Sequence, residues 1–93
     1  MIINGNLDLS GCRTIESLGN LKEVKGSLDL TRTKITSIPD GLKVGGSLDL
    51  RGTQITSFPN GLIVKGTLDL SGTNITKEYI EEEFPKLLKK CIW

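Results

Sequence analysis

The sequence contains no histidine, only two cysteines and few aromatic residues, and each shortage excludes a class of function. Without histidine, the chain cannot build a histidine-dependent catalytic triad or a histidine-containing zinc site. Two cysteines are too few for a thiolate zinc site or for a disulfide framework. Aromatic residues make up 4% of the 93 residues, so the core must come mainly from aliphatic side chains.

The net charge of the chain is close to zero, and its hydrophobic runs are short. Twelve Lys and Arg against 11 Asp and Glu give a net charge of +1, which argues against binding nucleic acid by bulk charge. No apolar run approaches the ~18–20 residues of a membrane-spanning helix, and the first residues lack the features of a secretory signal. We therefore expect a cytoplasmic protein, in the cytoplasm of a host cell if a phage or an effector system encodes it, with no membrane or direct nucleic-acid partner.

The motif Gly-x-Leu-Asp-Leu occurs four times. Its leucine pairs are Leu7/Leu9, Leu28/Leu30, Leu48/Leu50 and Leu68/Leu70, separated by steps of 21, 20 and 20 residues. Leu-Asp-Leu alternates between apolar and polar residues, which predicts a half-buried strand of about four to five residues. A chain that returns to such a strand at a fixed period stacks its strands in parallel, and neighbouring coils cover each other's leucines.

Three residues after the second leucine of each motif come Cys12, Thr33, Thr53 and Thr73, and an isoleucine follows. The pattern Leu-x-Leu-x-x-Thr/Cys-x-Ile resembles the core of a leucine-rich repeat. Residues 5–76 carry the resemblance, and the 20-residue period looks like the short leucine-rich repeats of bacterial proteins, including some injected effectors. It implies an α/β fold, a short parallel β-solenoid of four coils with a C-terminal capping helix. A generic β-solenoid is the alternative architecture.

The family pattern also implies a role for the threonines. In leucine-rich repeats an asparagine at this position bonds the backbones of neighbouring coils. Because a threonine hydroxyl both donates and accepts, we expect Thr33, Thr53 and Thr73 to form part of such a ladder.

We divide the chain into a repeat region, residues 1–76, and a C-terminal helical cap, residues 77–93. The coils are 5–25, 26–45, 46–65 and the partial coil 66–76. Thr76 is the expected helix N-cap. Pro85 either kinks the helix or is the first residue of a second helix.

The two ends of the stack leave alternatives open. At the first coil, either Met1 to Asn4 fold over the outer edge and plug it, or the open edge strand pairs with a second copy to form a homodimer. At the other end, Cys91 is expected to be buried on the cap. Trp93 either packs on the cap, frays at the end of the chain or anchors an interface.

The candidate protein-binding residues are Asp8, Asp29, Asp49, Asp69, Arg51 and Arg32. The aspartates point to solvent between buried leucines, where carboxylates ~5 Å apart repel by roughly 1 kcal/mol. We expect no requirement of the fold for these carboxylates, since serine or threonine would serve. Arg51 replaces the Ser or Thr of the other copies and Arg32 replaces their Gly, and such departures from a repeat can encode specificity.

Three alternatives to a binding role stay open for these residues. The aspartates can form an ordinary solvated face, and the arginines can reflect surface drift. A cation held between adjacent aspartates is the third alternative, although calcium takes six or more oxygen ligands. We predict no catalytic, cofactor-binding or metal-binding residue.

The expected function is that of a non-enzymatic protein–protein interaction module. By the resemblance, it would bind a partner protein with a basic surface through the Asp-lined concave face of the sheet. The alternative is a small phage or mobile-element inhibitor that blocks a host defence protein or a nucleic-acid-binding groove.

Overall fold

The computed structural model describes residues 1–93 and contains two parallel sheets built from stacked coils. The first, which we call the valine sheet, consists of β1 (Ile2–Ile3), β3 (Glu23–Val24), β5 (Lys43–Val44) and β7 (Ile63–Val64). The second, the aspartate sheet, consists in order of β2 (Leu7–Asp8), β4 (Leu28–Asp29), β6 (Leu48–Asp49), β8 (Leu68–Asp69) and β9 (Cys91–Ile92). Helix α1 (Lys77–Glu83) and a 3-10 helix (Pro85–Lys90) connect β8 to β9.

This architecture confirms the predicted short parallel β-solenoid with a C-terminal helix. Two details differ from the prediction. Each coil contributes two strands where one was expected, and each strand has only two residues where about four to five were expected. The chain bends at the glycine between the two strands and turns again two residues after the aspartate, so both strands are short.

A single cluster of 19 buried apolar residues forms the core. Leu28, Leu48 and Leu68 are each 0% exposed, because a neighbour covers them on both sides of the stack. Full burial of a leucine contributes about 1.5–3 kcal/mol, so the stacking of coils is the main source of stability. Leu7 and Leu9 of the first coil are only partly buried, since no coil lies on their outer side.

The glycine two residues before β4, β6 and β8 allows the coils to approach closely. A Cβ atom on Gly66 would lie 2.8 Å from the backbone carbon and oxygen of Gly46. A Cβ atom on Gly46 would lie 3.1 Å from the backbone carbon of Gly26. Because these contacts are with backbone atoms, no side-chain rotation can relieve them, and the stacking itself requires glycine.

A ladder of side-chain hydrogen bonds links the coils at the residue after this glycine. Asn6 Oδ1 accepts from the amide of Ser27 at 2.8 Å. Ser27 Oγ accepts from the amide of Ser47 at 3.1 Å, and Ser47 Oγ accepts from the amide of Thr67 at 3.3 Å. The prediction that the threonines after the strand form this ladder is wrong. Each of their hydroxyls donates within its own coil, to the carbonyl three residues earlier, at 2.7 to 2.9 Å; they are Thr33, Thr53 and Thr73.

The C-terminal helices cover the last coil. Thr76 Oγ1 accepts a hydrogen bond from the amide of Tyr79 at 3.1 Å, which confirms the predicted N-cap. Helix α1 ends at Glu83 and Pro85 is the first residue of the 3-10 helix, so the second of the two alternatives for this proline is correct. Ile80 and Leu87 are the residues of these two helices that join the buried core.

Strand β9 was not expected. It pairs in parallel with β8, and the amide of Leu70 donates to the carbonyl of Ile92 at 2.8 Å. Cys91 is therefore on a strand and is partly rather than fully buried; burial raises the pKa of its thiol, which donates to the Leu87 carbonyl at 3.3 Å. Trp93 is 47% exposed at the end of this strand.

At the other end of the stack, Ile2 and Ile3 do not fold over the first coil. They form β1, which pairs in register with β3 and so extends the valine sheet. The interpretation of these residues as a plug folded over the edge is wrong, because their backbone continues the valine sheet. Met1 and Ile3 do line, together with the partly buried Leu7 and Leu9, an apolar hollow of about 240 Å³ at the end of the stack.

Candidate functional site

The four aspartates of the repeat form one row on the aspartate sheet, in register from coil to coil. We call this row the aspartate stripe: Asp8 pairs with Asp29, Asp29 with Asp49, and Asp49 with Asp69. Asp8 is exposed and the other three are partly buried. The predicted placement of these residues on a single face is therefore observed.

Each carboxylate of the stripe also closes the turn that follows its strand. Its Oδ1 atom accepts a hydrogen bond from the amide two residues later, at 2.9, 3.0, 3.1 and 3.0 Å along the stack. Aspartate stabilises such turns more strongly than serine or threonine does. Every aspartate of the stripe therefore has a structural role through its Oδ1 acceptor, which was not expected from the sequence.

In the first two coils, a hydroxyl group adds a second bond to the same carboxylate. Ser10 Oγ donates to Asp8 Oδ1 at 2.7 Å, and Thr31 Oγ1 donates to Asp29 Oδ1 at 2.6 Å. The side-chain bond and then the amide bond from Ser10 lower the pKa of Asp8 from its ordinary value. These neutral donors orient the two carboxylates. Neither carboxylate forms an ion pair, although the charge of Arg51 also acts on Asp29 at longer range.

In the third coil, Arg51 takes the place of the hydroxyl and offsets part of the negative charge of the stripe. Its Nε donates to both oxygens of Asp49 at 3.0 and 3.1 Å, and its Nη2 donates to Asp49 Oδ2 at 2.7 Å. The same Nε lies 3.5 Å from Asp69 Oδ2 in the next coil. Burial raises the pKa of Asp49, but the hydrogen bonds and charge of Arg51 outweigh it, so this pKa lies below its ordinary value. One guanidinium thus bridges two stacked carboxylates.

The stripe is consequently divided into two unlike halves. Asp49 and Asp69 share the cation of Arg51, whereas Asp8 and Asp29 form no ion pair. The four aspartates are equivalent within the repeat motif. The distinction comes from Arg51, which reaches from its own coil to Asp69 in the next coil.

Arg32 has a left-handed backbone with φ of 59° and is the only non-glycine residue with positive φ. The equivalent glycines, Gly11, Gly52 and Gly72, have φ of 74°, 70° and 73°. The conformation costs an L-residue with a side chain roughly 1–2 kcal/mol. Arg32 therefore occupies a position where the repeat geometry favours glycine.

Arg32 and Arg51 line one hollow of about 570 Å³ beside the stripe, which we call the arginine hollow. Ser10, Thr31 and Asp29 also line it, and none of its lining residues is hydrophobic. The two arginines that depart from the repeat are thus brought together in one place. The sequence identified both positions but not their convergence.

Lysines concentrate on the valine sheet instead. Lys25, Lys43 and Lys65 surround a second hollow of about 480 Å³ together with Glu23 and Ile63. No aromatic residue lines it, so it is not a stacking platform for bases. Lysines therefore predominate at the valine sheet, whereas aspartates predominate at the aspartate sheet.

The carboxylates and thiols do not form a metal centre, since no three potential ligand side chains come together. Neither helix has the length and apolar character needed to span a membrane. Comparison of the chain with protein-family models, with curated proteins and with solved structures found no match.

Proposed function

We propose that this protein is a non-enzymatic interaction module that binds an arginine-bearing segment of a partner protein at the Asp8–Asp29 half of the stripe. The observation that carries this proposal is the contact of Arg51 with Asp49 and Asp69. It is an example, within the same molecule, of how a guanidinium fits across two stacked carboxylates.

The repeat makes the first pair of carboxylates a counterpart of the last pair. Asp8 and Asp29 pair in the same register as Asp49 and Asp69. Ser10 stands where Arg51 stands in the third coil, and its hydroxyl reaches only the carboxylate of its own coil. A guanidinium supplied by a partner can therefore occupy the equivalent place, where bidentate charge-assisted hydrogen bonds are among the strongest available at a surface.

The resemblance of the repeat to leucine-rich repeats supports a binding role for this sheet, and we propose membership of that class together with the function. A cytoplasmic location belongs to the same proposal. The alternative, an inhibitor that occupies a nucleic-acid-binding groove, would use all four carboxylates to imitate a phosphate backbone. Arg51 already offsets part of the negative charge of two of them, which favours recognition of a discrete basic segment instead.

The experiment removes the charges of Asp8 and Asp29 but keeps the hydrogen bonds that close the turns after their strands. Asn keeps the Oδ1 acceptor of Asp and removes only its charge, so we compare wild type with the double variant Asp8→Asn, Asp29→Asn. The probe is a fluorescein-labelled tetra-arginine peptide, and binding is measured by anisotropy. We expect affinity to fall by about tenfold, the equivalent of roughly 1.4 kcal/mol.

The matched control is Asp40→Asn with Glu16→Gln, which removes two exposed carboxylates away from the stripe. It changes net charge by the same amount and should bind the peptide nearly as wild type does. Circular dichroism checks that both variants stay folded. Equal loss of affinity in both variants, or no loss in either, would overturn the stripe as the binding site.

A further inference from the structure

The arginine hollow contains a free cationic group with no partner in the protein. The guanidinium of Arg32 forms no ion pair with any carboxylate, while Arg51 holds both Asp49 and Asp69. Arg32 maintains a left-handed backbone at a position that is glycine in the other three coils. A strained residue of this kind commonly marks a functional position.

The second wall of the hollow has the opposite charge. Asp29 faces the hollow with Oδ1 occupied by the amide and hydroxyl of Thr31, and it forms no ion pair. The hydroxyls of Ser10 and Thr31 already donate to aspartates, so the free donors in the hollow belong to the arginines. The hollow therefore presents cationic donors beside a carboxylate.

We propose that Arg32 binds a carboxylate of the same partner segment, an Asp or Glu side chain close to the arginine that docks on Asp8 and Asp29. This rests on the proposed function and specifies its partner as a segment carrying both charges. A guanidinium accepts a carboxylate in bidentate geometry. The nearby charge of Asp29 repels a dianion more than a monoanion, so a carboxylate fits the hollow better than a phosphate does.

The first test needs no peptide. The full chain, labelled with ¹⁵N, is titrated with sodium acetate and, separately, with sodium phosphate at constant ionic strength, and the Nε–Hε signals of Arg32 and Arg13 are followed. Arg13 is an exposed arginine outside the hollow and reports non-specific effects. We expect acetate to shift the Arg32 signal saturably and by several times the shift at Arg13. Equal shifts at the two arginines, or a larger response of Arg32 to phosphate, would overturn the carboxylate assignment.

The second test uses pairs of synthetic peptides that contain one arginine and one glutamate separated by zero, one or two glycines. Each is compared with the peptide in which glutamine replaces glutamate. We expect at least one glutamate peptide to bind about tenfold more tightly than its glutamine counterpart. The advantage should disappear in Arg32→Gly, which restores the residue of the other coils, and be reduced in Arg32→Lys, which keeps the charge without the planar group.

The two proposals fail differently. If the affinity ratio between the glutamate and glutamine peptides is the same for Arg32→Gly and wild type, Arg32 does not bind the carboxylate. This outcome leaves the proposed role of the stripe untouched. If the Asp8→Asn, Asp29→Asn variant binds tetra-arginine normally while acetate still shifts the Arg32 signal saturably, the proposed function is wrong and the carboxylate site stands. Arg32→Gly should also melt at a higher temperature than wild type, because glycine adopts the left-handed backbone without strain. This measurement distinguishes a loss of binding from a loss of folding.

Discussion

The hydroxyl group of Tyr79 accepts a hydrogen bond from the backbone amide of Phe58 at a distance of 3.0 Å. Tyr79 belongs to α1 and Phe58 to the third coil, so the bond joins the C-terminal helix to the stack. The two rings also meet edge to face, with centroids 6.3 Å apart, and Phe84 lies 5.6 Å from Phe58. Three of the four aromatic residues of the chain are thus used to attach the helix.

Replacing Tyr79 by Phe should lower the free energy of unfolding by about 1–2 kcal/mol. The substitution keeps the ring contacts but leaves the amide of the buried Phe58 without a partner, and an unsatisfied buried donor costs about that much. Urea denaturation followed by circular dichroism measures the difference. Trp93→Phe, at an exposed aromatic residue, is the control and should change stability by less than about 0.5 kcal/mol. Equal stability of Tyr79→Phe and wild type would show that the bond contributes nothing.

Substituting alanine for the repeated glycine should have opposite effects in different coils. In Gly66→Ala the new Cβ would lie 2.8 Å from the backbone of Gly46, and overpacking of this kind costs about 1–3 kcal/mol. In Gly5→Ala no atom lies within 4 Å of the new Cβ, because no coil lies outside the first. This variant should be as stable as wild type or slightly more so, since alanine restricts the unfolded chain.

Thermal unfolding of the two glycine variants provides the comparison. A melting temperature of Gly66→Ala close to that of Gly5→Ala would contradict the close stacking of coils. The glycine of the Gly-x-Leu-Asp-Leu motif would then be needed only for the turn of its own coil.

The pairing of Asp49 with Arg51 predicts a specific response to acid. The pKa of Asp49 is lowered from the ordinary 3.8 in the folded protein, so its contribution to stability is complete above 3.8 and is lost as the pH falls through the lower folded value. Arg51→Ser, which copies the residue of the first and last coils, should reduce this loss, because the folded pKa moves back towards the unfolded one. The measurement is the free energy of unfolding in urea between pH 6 and 2.

Lys34→Ser is the control for this experiment, since it removes an exposed cation that forms no ion pair. Its acid dependence should match that of wild type. If Arg51→Ser loses stability in acid as steeply as wild type does, the guanidinium is not what lowers the pKa of Asp49.

The sequence was sufficient for features that depend on local chemistry. The alternation of Leu28, Asp29 and Leu30 predicted which side chains are buried, and the hydroxyl of Thr76 predicted the start of the helix. The valine sheet was missed because β3 contains one buried residue, Val24, and two residues are too few for an alternation to be recognised.

Features that depend on the distance between coils were assigned incorrectly or not at all. Both Ser27 and Thr33 carry hydroxyls at a fixed position of the repeat, and only the stacking decides that Ser27 bonds the next coil while Thr33 bonds its own. The same holds for the site. The position of Arg51 was noticed, but its reach to Asp69 depends on the separation of two coils, which a single repeat does not contain.

We expect two copies of this chain to associate through the outer side of the first coil. Strands β1 and β2 each lack a neighbour on their outer edge, and Leu7, Leu9, Ile15 and Leu18 are only partly buried behind them. An edge with unpaired amides and carbonyls can pair with the same edge of a second copy, which supplies both donors and acceptors. Since interfaces below about 1,200 Å² are weak, the dimer formed by this small face should dissociate on dilution.

Light scattering during size-exclusion chromatography, over a hundredfold range of loading concentration, measures this equilibrium. We expect a rise from monomer towards dimer mass in the wild type and a rise of melting temperature with concentration, because association stabilises the folded state. Leu9→Lys places a charge at the centre of the contact and should hold the chain as a monomer. Ile63→Lys is the control, since Ile63 is 44% exposed on the outer face of the valine sheet and away from this end, so its variant should dimerise as wild type does. A monomer at every concentration in the wild type would mean that the open edge is tolerated without pairing.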